Sequence, residues 1–378
     1  MQKLLTRPQC DTDVTKTMKL REFLKKYIAC HPVGTRLPSY TTLMKEHGVS
    51  QNTVMNALNE LVKDKKIICE RRRGMFISPR AALTNIGVVF GRDIFSANAA
   101  PVSRMFLRYI EDEATTHNEN ISLFINTKQV MIEDHGIMVN RDLLDALNSD
   151  QMDGLILVET RGKDEVEWLL THNLPIVTMS SYSHTGHVVT SNIGSMVDLA
   201  MEELIKRGCQ KIALLSMYGN MGRAAFNNDM VAYKNALSRC GLKLRNDLVF
   251  QAGASPADSV NYPQVSNEQT GFQAAEFFLN GTDQGHLPFD GFICTDDRAT
   301  SGFLSKLSQM GITPGQDIII ATHVNRAMPV LMGYEDKLIR IEINPEALMH
   351  KAFEVLRKLI AGQRDIPKLI LVESQIII

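Results

Sequence analysis

Six cysteines, at positions 10, 30, 69, 209, 240 and 294, lie far apart in this 378-residue chain, and no two form a C-x-x-C. Such spacing offers neither a zinc ligand set nor a dithiol redox centre, and it fits reduced thiols in a cytosolic protein. The chain also lacks any apolar run approaching a membrane span. Its opening, MQKLLTRPQCDTD, has no apolar signal-peptide core. A cytoplasmic protein with no membrane partner is expected. H-E-x-x-H, G-x-S-x-G, a P-loop and G-x-G-x-x-G are all missing from any suitable context. The adjacent carboxylates Asp296 and Asp297 are weak evidence for catalysis, because helix capping explains them. We therefore expect no enzyme, no catalytic residue, no metal site and no cofactor. A transport receptor is opposed by the missing signal peptide and by the distribution of charge.

That distribution is uneven, although the net charge is only −1. Residues 1–80 hold 16 Lys+Arg against 7 Asp+Glu, which leaves 25 basic and 35 acidic residues for 81–378. A small basic head on a larger acidic body points to a polyanionic partner for the head alone.

Within the head, a first helix is expected over Thr15–Cys30, with Met18, Phe23, Tyr27 and Ile28 among its buried residues, ended by His31-Pro32-Val33-Gly34. Ser39 is placed to cap a second helix that ends near His47. Gly48 supplies a left-handed turn, and Ser50 caps a third helix. In that third helix Val54, Ala57, Leu58 and Leu61 share one face, while the other face is crowded with amides. "KIICERRRGMFIS" then reads as two short strands around a basic tip. Three helices and a two-stranded wing make a winged helix-turn-helix, whose recognition helix meets base edges in the major groove. Gln51, Asn52 and Asn56 become the base-reading candidates, since amides bond bidentately to adenine. Ser39, Thr41 and Thr53 are phosphate candidates. Arg71, Arg72 and Arg73 are placed for the DNA backbone or a minor groove. A solvated helix face beside an ordinary basic hairpin is the plainer alternative.

The stretch "RLPSYTTLMKEHGVSQNTVMNALNELVKDKKIICERRRGMFIS" resembles the GntR-type winged helix, with its LPS-x-x-x-L, G-V-S-x-x-T-V-x-x-A-L-x-x-L and closing G-x-F. The resemblance covers about residues 14–78. It departs at Gln51 and Met55, where that family commonly carries Arg, so A·T pairs are expected at the corresponding operator positions. It departs again at Arg72, where a glycine is usual, so a less tightly turned wing tip is expected.

After a polar linker at 78–85, the body over 86–378 alternates strands and helices. Strands are expected at Ile86–Phe90, Ile121–Asn126, Gly154–Val158, Ile176–Met179, Ile212–Ser216, Gly291–Thr295 and Ile318–Thr322. Amphipathic helices such as Ser195–Arg207 and Asp229–Cys240 lie between them. Continuous apolar runs fit parallel strands buried on both faces, with ligands at their carboxyl ends. "DGLILVE", "LPIVTMS", "VVTSNIGSMVDLAMEELIKRGCQKIALLS", "FDGFICTDDRATSGF" and "IRIEINPEALMHKA" resemble the lac-repressor/GalR effector domain, a periplasmic-binding-protein-like (type I) α/β fold. That resemblance implies two parallel-sheet subdomains joined by three crossings, one of about 86–208 plus 345–365 and the other of 209–344 plus 366–378. A GntR-type head on such a body is similar to the arabinose-repressor class of GntR regulators.

By the same resemblance a small sugar-like effector sits between the subdomains, near Phe95, Ser96, Asn98, Asn192, Asn227, Asp229, Asp296, Asp297 and His323. Asn192, Asp229 and Asp297 also suit helix starts and could serve as caps alone, and His323 could be a core histidine. The combined reading is a ligand-responsive DNA-binding regulator of carbohydrate genes, most simply a repressor. It would act as a homodimer on a double-stranded operator, because one short winged helix reads too few bases to be specific.

Overall fold

The computed structural model describes residues 10–78, 83–96, 99–149, 151–159, 163–179, 186–217, 228–252, 265–280 and 287–377. They divide near Asn85 into two compact units, a head and a body.

In the head, α1 (Cys10–Cys30), α2 (Tyr40–His47) and α3 (Gln51–Lys63) precede β1 (Ile67–Glu70) and β2 (Gly74–Ile77). The antiparallel β1–β2 wing runs in register from Ile67↔Ile77 to Glu70↔Gly74. Leu20, Leu24 and Ile28 of α1 close a small core with Leu43, Val54, Ala57, Leu58, Leu61, Ile67, Met75 and Ile77. This corrects the expected inner face of α1. The four-residue spacing from Leu20 to Ile28 sets the buried stripe, leaving Met18 61% exposed and Phe23 at the surface. Phe23 instead lies against His47, and Tyr27 stacks on His31. Arg21 ties α1 to the end of α3, reaching Glu60 and Asp64 at 3.3 Å each.

The body begins with β3 (Asn85–Phe90), α4 (Pro101–His117), β4 (Asn120–Ile125), the hairpin β5 (Gln129–Ile132) and β6 (Ile137–Asn140), and α5 (Arg141–Asn148). It continues through β7 (Gly154–Val158), α6 (Lys163–Leu170), β8 (Ile176–Met179), β9 (His187–Ser191), α7 (Ile193–Lys206), β10 (Ile212–Ser216) and α8 (Asp229–Arg239). Then follow β11 (Val249–Gln251), α9 (Asn267–Leu279), β12 (Gly291–Cys294), α10 (Asp297–Gln309), β13 (Ile319–Asn325) and β14 (Leu338–Ile343). The chain closes with α11 (Pro345–Ile360), β15 (Leu369–Val372) and β16 (Gln375–Ile377). The strands make two six-stranded sheets, ordered β15-β9-β8-β7-β3-β4 and β11-β10-β12-β13-β14-β16. Pairings along both are parallel where β3, β7, β8, β9 and β15 meet and from β11 to β14, while β16 runs antiparallel to β14. Every residue of β7, β10 and β12 is buried, as strands covered on both faces must be.

Two subdomain boundaries move. α7 packs on α8 and on β12, β13 and β14, so the first crossing falls at Ser191–Ile193 and not after residue 208. β15 pairs with β9 in the first sheet, so the third crossing lies between Val372 and Gln375 and not near 365. The second runs from β14 into α11, which packs on α4, β7, β8 and β9. Glu113 of α4 helps hold α11, accepting from His350 at 2.6 Å and pairing with Arg357 at 2.8 Å. Burial pushes its carboxyl up, but those two donors outweigh it and hold the group below the ordinary glutamate range.

Helices α9 and α10 meet backbone to backbone. A Cβ on Gly271 would lie 1.7 Å from the Ala299 carbonyl oxygen, and one on Gly302 would lie 1.7 Å from that of Glu268. Nothing flexible can yield there. Gly271→Ala and Gly302→Ala should each cost about 3 kcal/mol, the upper end for overpacking. Urea unfolding of the full chain, read as a lower midpoint at unchanged slope, checks this.

Candidate functional site

On the head, the Ser39 hydroxyl accepts from the Thr42 amide at 3.2 Å, Ser50 does the same for Thr53, and Gly48 turns the chain between the helices at φ +59°. These caps orient α3 so that Gln51, Asn52, Met55, Asn56 and Asn59 are exposed while Val54, Ala57, Leu58 and Leu61 are buried. Ser39 and Thr41 are also exposed. Thr53 is not: it is 2% exposed, with its hydroxyl 2.8 Å from that of Ser50, so it belongs to the cap and leaves the phosphate-contact set.

At the wing tip Arg71, Arg72 and Arg73 are all exposed. The expected looser turn is not found. The Arg73 amide donates to the Glu70 carbonyl at 3.0 Å, and Arg72 adopts φ +66°, the left-handed conformation glycine would favour. The turn is kept and the chain bears the strain. Arg73 is partly engaged, 2.6 Å from Glu70 and 5.7 Å from the centre of the Phe76 ring, whereas Arg71 and Arg72 have no such partner among the described residues. Arg36 was missed by sequence reasoning. It is exposed, bridges to Phe76 through its backbone, and lies so close to Gly74 that a Cβ there would be 2.9 Å from its Nε. Only the pairing of the segment before α2 with the wing brings it to the tip, and nothing in the local sequence signals that pairing.

In the body, β9, β14 and β15 each end where the chain crosses, so both sheets present strand carboxyl ends toward the crossings. On the first sheet, Phe95 (65% exposed) and Ser96 follow β3, while Asn98 lies outside the described residues. Glu159, after β7, was also missed. It takes a positive φ of 52° and accepts from the buried Ser103 hydroxyl at 2.9 Å. A non-glycine residue held left-handed at a strand end marks a place where backbone strain is tolerated. Asn192 caps α7 through the Ser195 amide and donates its Nδ2 to Glu373 at 2.9 Å, tying the first crossing to the third.

On the second sheet, Asp229 does not face a ligand. It is fully buried, accepting from Ser216 Oγ at 2.7 Å, the Met217 amide at 2.9 Å and Thr295 Oγ1 at 2.9 Å. Its place as helix cap goes to Asn228, which accepts from the Val231 amide. Asn227 lies outside the described residues. Asp296 caps α10 through the Ala299 amide at 2.8 Å, so Asp297 is the first helical residue and not the cap. Asn267 donates to Asp296 at 2.8 Å, and Asn325 approaches Asp297 at 3.4 Å. Burial and the neighbouring Asp297 push the Asp296 carboxyl up, against the opposing hydrogen bond from the Ala299 amide and the smaller influence of His323. The strand registers set Ser216, Thr295 and His323 in one row across β10, the end of β12 and β13. The first two are satisfied by Asp229, whereas among the described residues neither buried ring nitrogen of His323 has a hydrogen-bond partner. The structure thus brings Asp296, Asp297, His323 and Asn325 together and takes Asp229 out of the site. Among the described residues no group of His, Cys, Asp and Glu could hold a metal ion, and no helix is long and apolar enough to cross a membrane.

Comparison with known proteins covers both units. Residues 31–77 match the bacterial regulatory proteins of the gntR family, and residues 201–378 match the periplasmic binding protein-like domain. No curated protein matches the chain. Among solved structures, a regulatory protein of the LacI family from Chloroflexus aggregans is 19% identical with TM-score 0.63, over 78% of this chain and 96% of that one. The transcription regulator CcpA of Lactococcus lactis is 20% identical with TM-score 0.59, over 78% and 97%. A transcriptional regulator CelR in complex with cellobiose is 15% identical with TM-score 0.61, over 90% and 99%. These likenesses establish the fold: a GntR-type winged helix precedes a periplasmic-binding-protein-like body built as in LacI-type regulators.

The wing tip yields a separable test. Arg72→Gly should raise stability by about 1 kcal/mol by relieving the left-handed residue. It should also weaken DNA binding and lower the slope of log affinity against log salt by about 1. Denaturant titration and anisotropy on one duplex at several salt concentrations read the two effects.

Proposed function

We propose that this chain, a GntR-type winged helix joined to a periplasmic-binding-protein-like body, is a ligand-responsive DNA-binding transcription regulator that represses carbohydrate-utilisation genes. The observation that carries the reading is the head itself. One helix presents amides outward beside a tip of three exposed arginines, on a chain whose remainder is acidic. Gln51, Asn52 and Asn56 face base edges. Ser39, Thr41, Arg71, Arg72 and Arg73, with Arg36 added, serve the sugar-phosphate backbone. The protein acts as a cytoplasmic homodimer on a pseudo-palindromic operator, since doubling the short reading helix is what supplies specificity.

The effector is a small sugar or polyol bound where the strand ends of the two sheets face the crossings. Phe95 offers an aromatic face for a sugar ring. Asn98, Asn192, Asn227, Asp296, Asp297 and His323, joined by Glu159 and Asn325, offer planar hydrogen bonding, and Ser96 adds a rotatable hydroxyl. A neutral ligand is favoured over a phosphorylated one, because the Arg298 guanidinium near the carboxylates is held by Glu268 at 2.7 and 2.8 Å. The cellobiose bound to one structural neighbour supports this class of ligand. Effector binding shifts the body between two lobe arrangements and moves DNA affinity only as far as the effector prefers one of them. No catalytic step is required.

The test is fluorescence anisotropy of the full chain on duplex DNA from upstream of its own gene, at two salt concentrations, with pentoses, hexoses and uronic acids added in turn. Salt-sensitive, sequence-specific binding abolished by one sugar is the expected result. Binding that no sugar alters would retain the head assignment and reject the sugar-responsive body. Absence of DNA binding with sugar binding intact would favour a solute sensor instead.

A further inference from the structure

Over its first nine residues, 51–59, α3 carries no charged side chain; the first is Glu60. The outward face of that stretch is Gln51, Asn52, Met55, Asn56 and Asn59, set at the i, i+1, i+4, i+5 and i+8 spacing of a single face. None of the four amides is held by a side-chain hydrogen bond within the protein, among the described residues. Met55 stands between them, 41% exposed, although the helix has a complete buried stripe on its other side. An exposed methionine amid unengaged amides adds nothing to the core of the head.

Base chemistry sorts what such a face can read. Guanine is gripped through O6 and N7 by Arg or Lys, and cytosine N4 donates best to a carboxylate. The face holds neither type of group. Adenine presents N7 and N6–H2, which one Asn or Gln amide matches with two hydrogen bonds. Its partner thymine presents the C5 methyl, the one apolar group in the major groove, and an unbranched thioether adapts readily to an apolar contact.

We infer that α3 reads A·T pairs by a divided code, in which Gln51, Asn52 and Asn56 bond adenine edges while Met55 seats the C5 methyl group of thymine. This rests on the head being a DNA reader and specifies what it reads. Affinity and specificity then separate by position: the cations of the wing hold the phosphates, and the uncharged first nine residues of α3 discriminate. Changes on α3 alter sequence preference at constant salt dependence, and changes at Arg71 or Arg72 do the reverse. Thymine and uracil differ only in the methyl group, so the proposed contact can be removed from the DNA without touching the protein.

The experiment selects duplexes from a randomised pool with the full chain, then measures anisotropy on the selected duplex and on versions with single thymines replaced by deoxyuridine. The expected pool is enriched in A·T pairs within each half-site. At one or two positions deoxyuridine should weaken binding about fourfold, the equivalent of one buried methyl group. Met55→Ala, at an exposed position that leaves folding intact, should lose a similar factor on thymine and become indifferent to the replacement. Gln51→Arg should move the preferred pair at its position toward G·C, with roughly tenfold or greater discrimination. Half-sites dominated by G·C, or a wild-type protein indifferent to every deoxyuridine, would overturn the inference while leaving the regulator reading intact. A pool with no enrichment and no salt-sensitive binding would overturn both.

Discussion

The body sends its chain across the gap between two sheets three times, and each passage leaves the carboxyl end of a strand. That constraint governs where anything can bind and how anything can move. Two of the crossings, at Asn192 and Asn344, open directly into a helix capped by the asparagine itself. The third is tied to the first by the Asn192–Glu373 hydrogen bond and by the Asn192 amide donating to the Val372 carbonyl. Near the second, Glu342 accepts from both Arg326 and Gln375. The crossings are therefore short, capped and cross-braced. A motion of one sheet against the other has to be absorbed in a few residues around 191–193, 343–345 and 372–375, next to the strand ends where a ligand would sit.

Beneath the second sheet's strand ends, Asp229 does by hydrogen bonding what a hydrophobic residue could not. One carboxylate gathers the end of β10, the residue after β12 and the start of α8. Removing its side chain would leave buried donors unsatisfied, each at a cost of about 1–3 kcal/mol. This explains how a residue that resembles a binding group in sequence can be wholly structural. In the same row His323 has no hydrogen-bond partner among the described residues, so the polarity not consumed by the fold collects at one end of the row.

Much of this architecture was legible beforehand because the signals were local. Ser39, Gly48 and Ser50 mark helix ends by capping chemistry that needs no knowledge of the fold, and the buried strands announce themselves as apolar runs. What escaped depended on partners distant in sequence. Met18 and Phe23 of α1 are apolar, and only the position of α3 decides that Leu20, Leu24 and Ile28 face inward instead. The β5–β6 hairpin is short and half-buried, so it carries no strong alternation. α7 follows β9 without a break, and its allegiance to the second sheet is a matter of packing. Thr53 and Asp229 are polar residues at helix starts, where capping, ligand contact and burial read alike. Arg36 reaches the wing through a strand bridge that no local pattern predicts.

The two glycines at the contact of α9 and α10 leave no side chain to act as a cushion between those helices. Such a joint transmits displacement instead of damping it, because there are no rotamers in the gap to rearrange. α10 begins at Asp297, and α9 begins at Asn267, whose amide donates to Asp296. A displacement of that pair of carboxylates is therefore delivered to both helices at once. At those two glycines the second lobe has no yielding layer of side chains, whereas each crossing is only a few residues long.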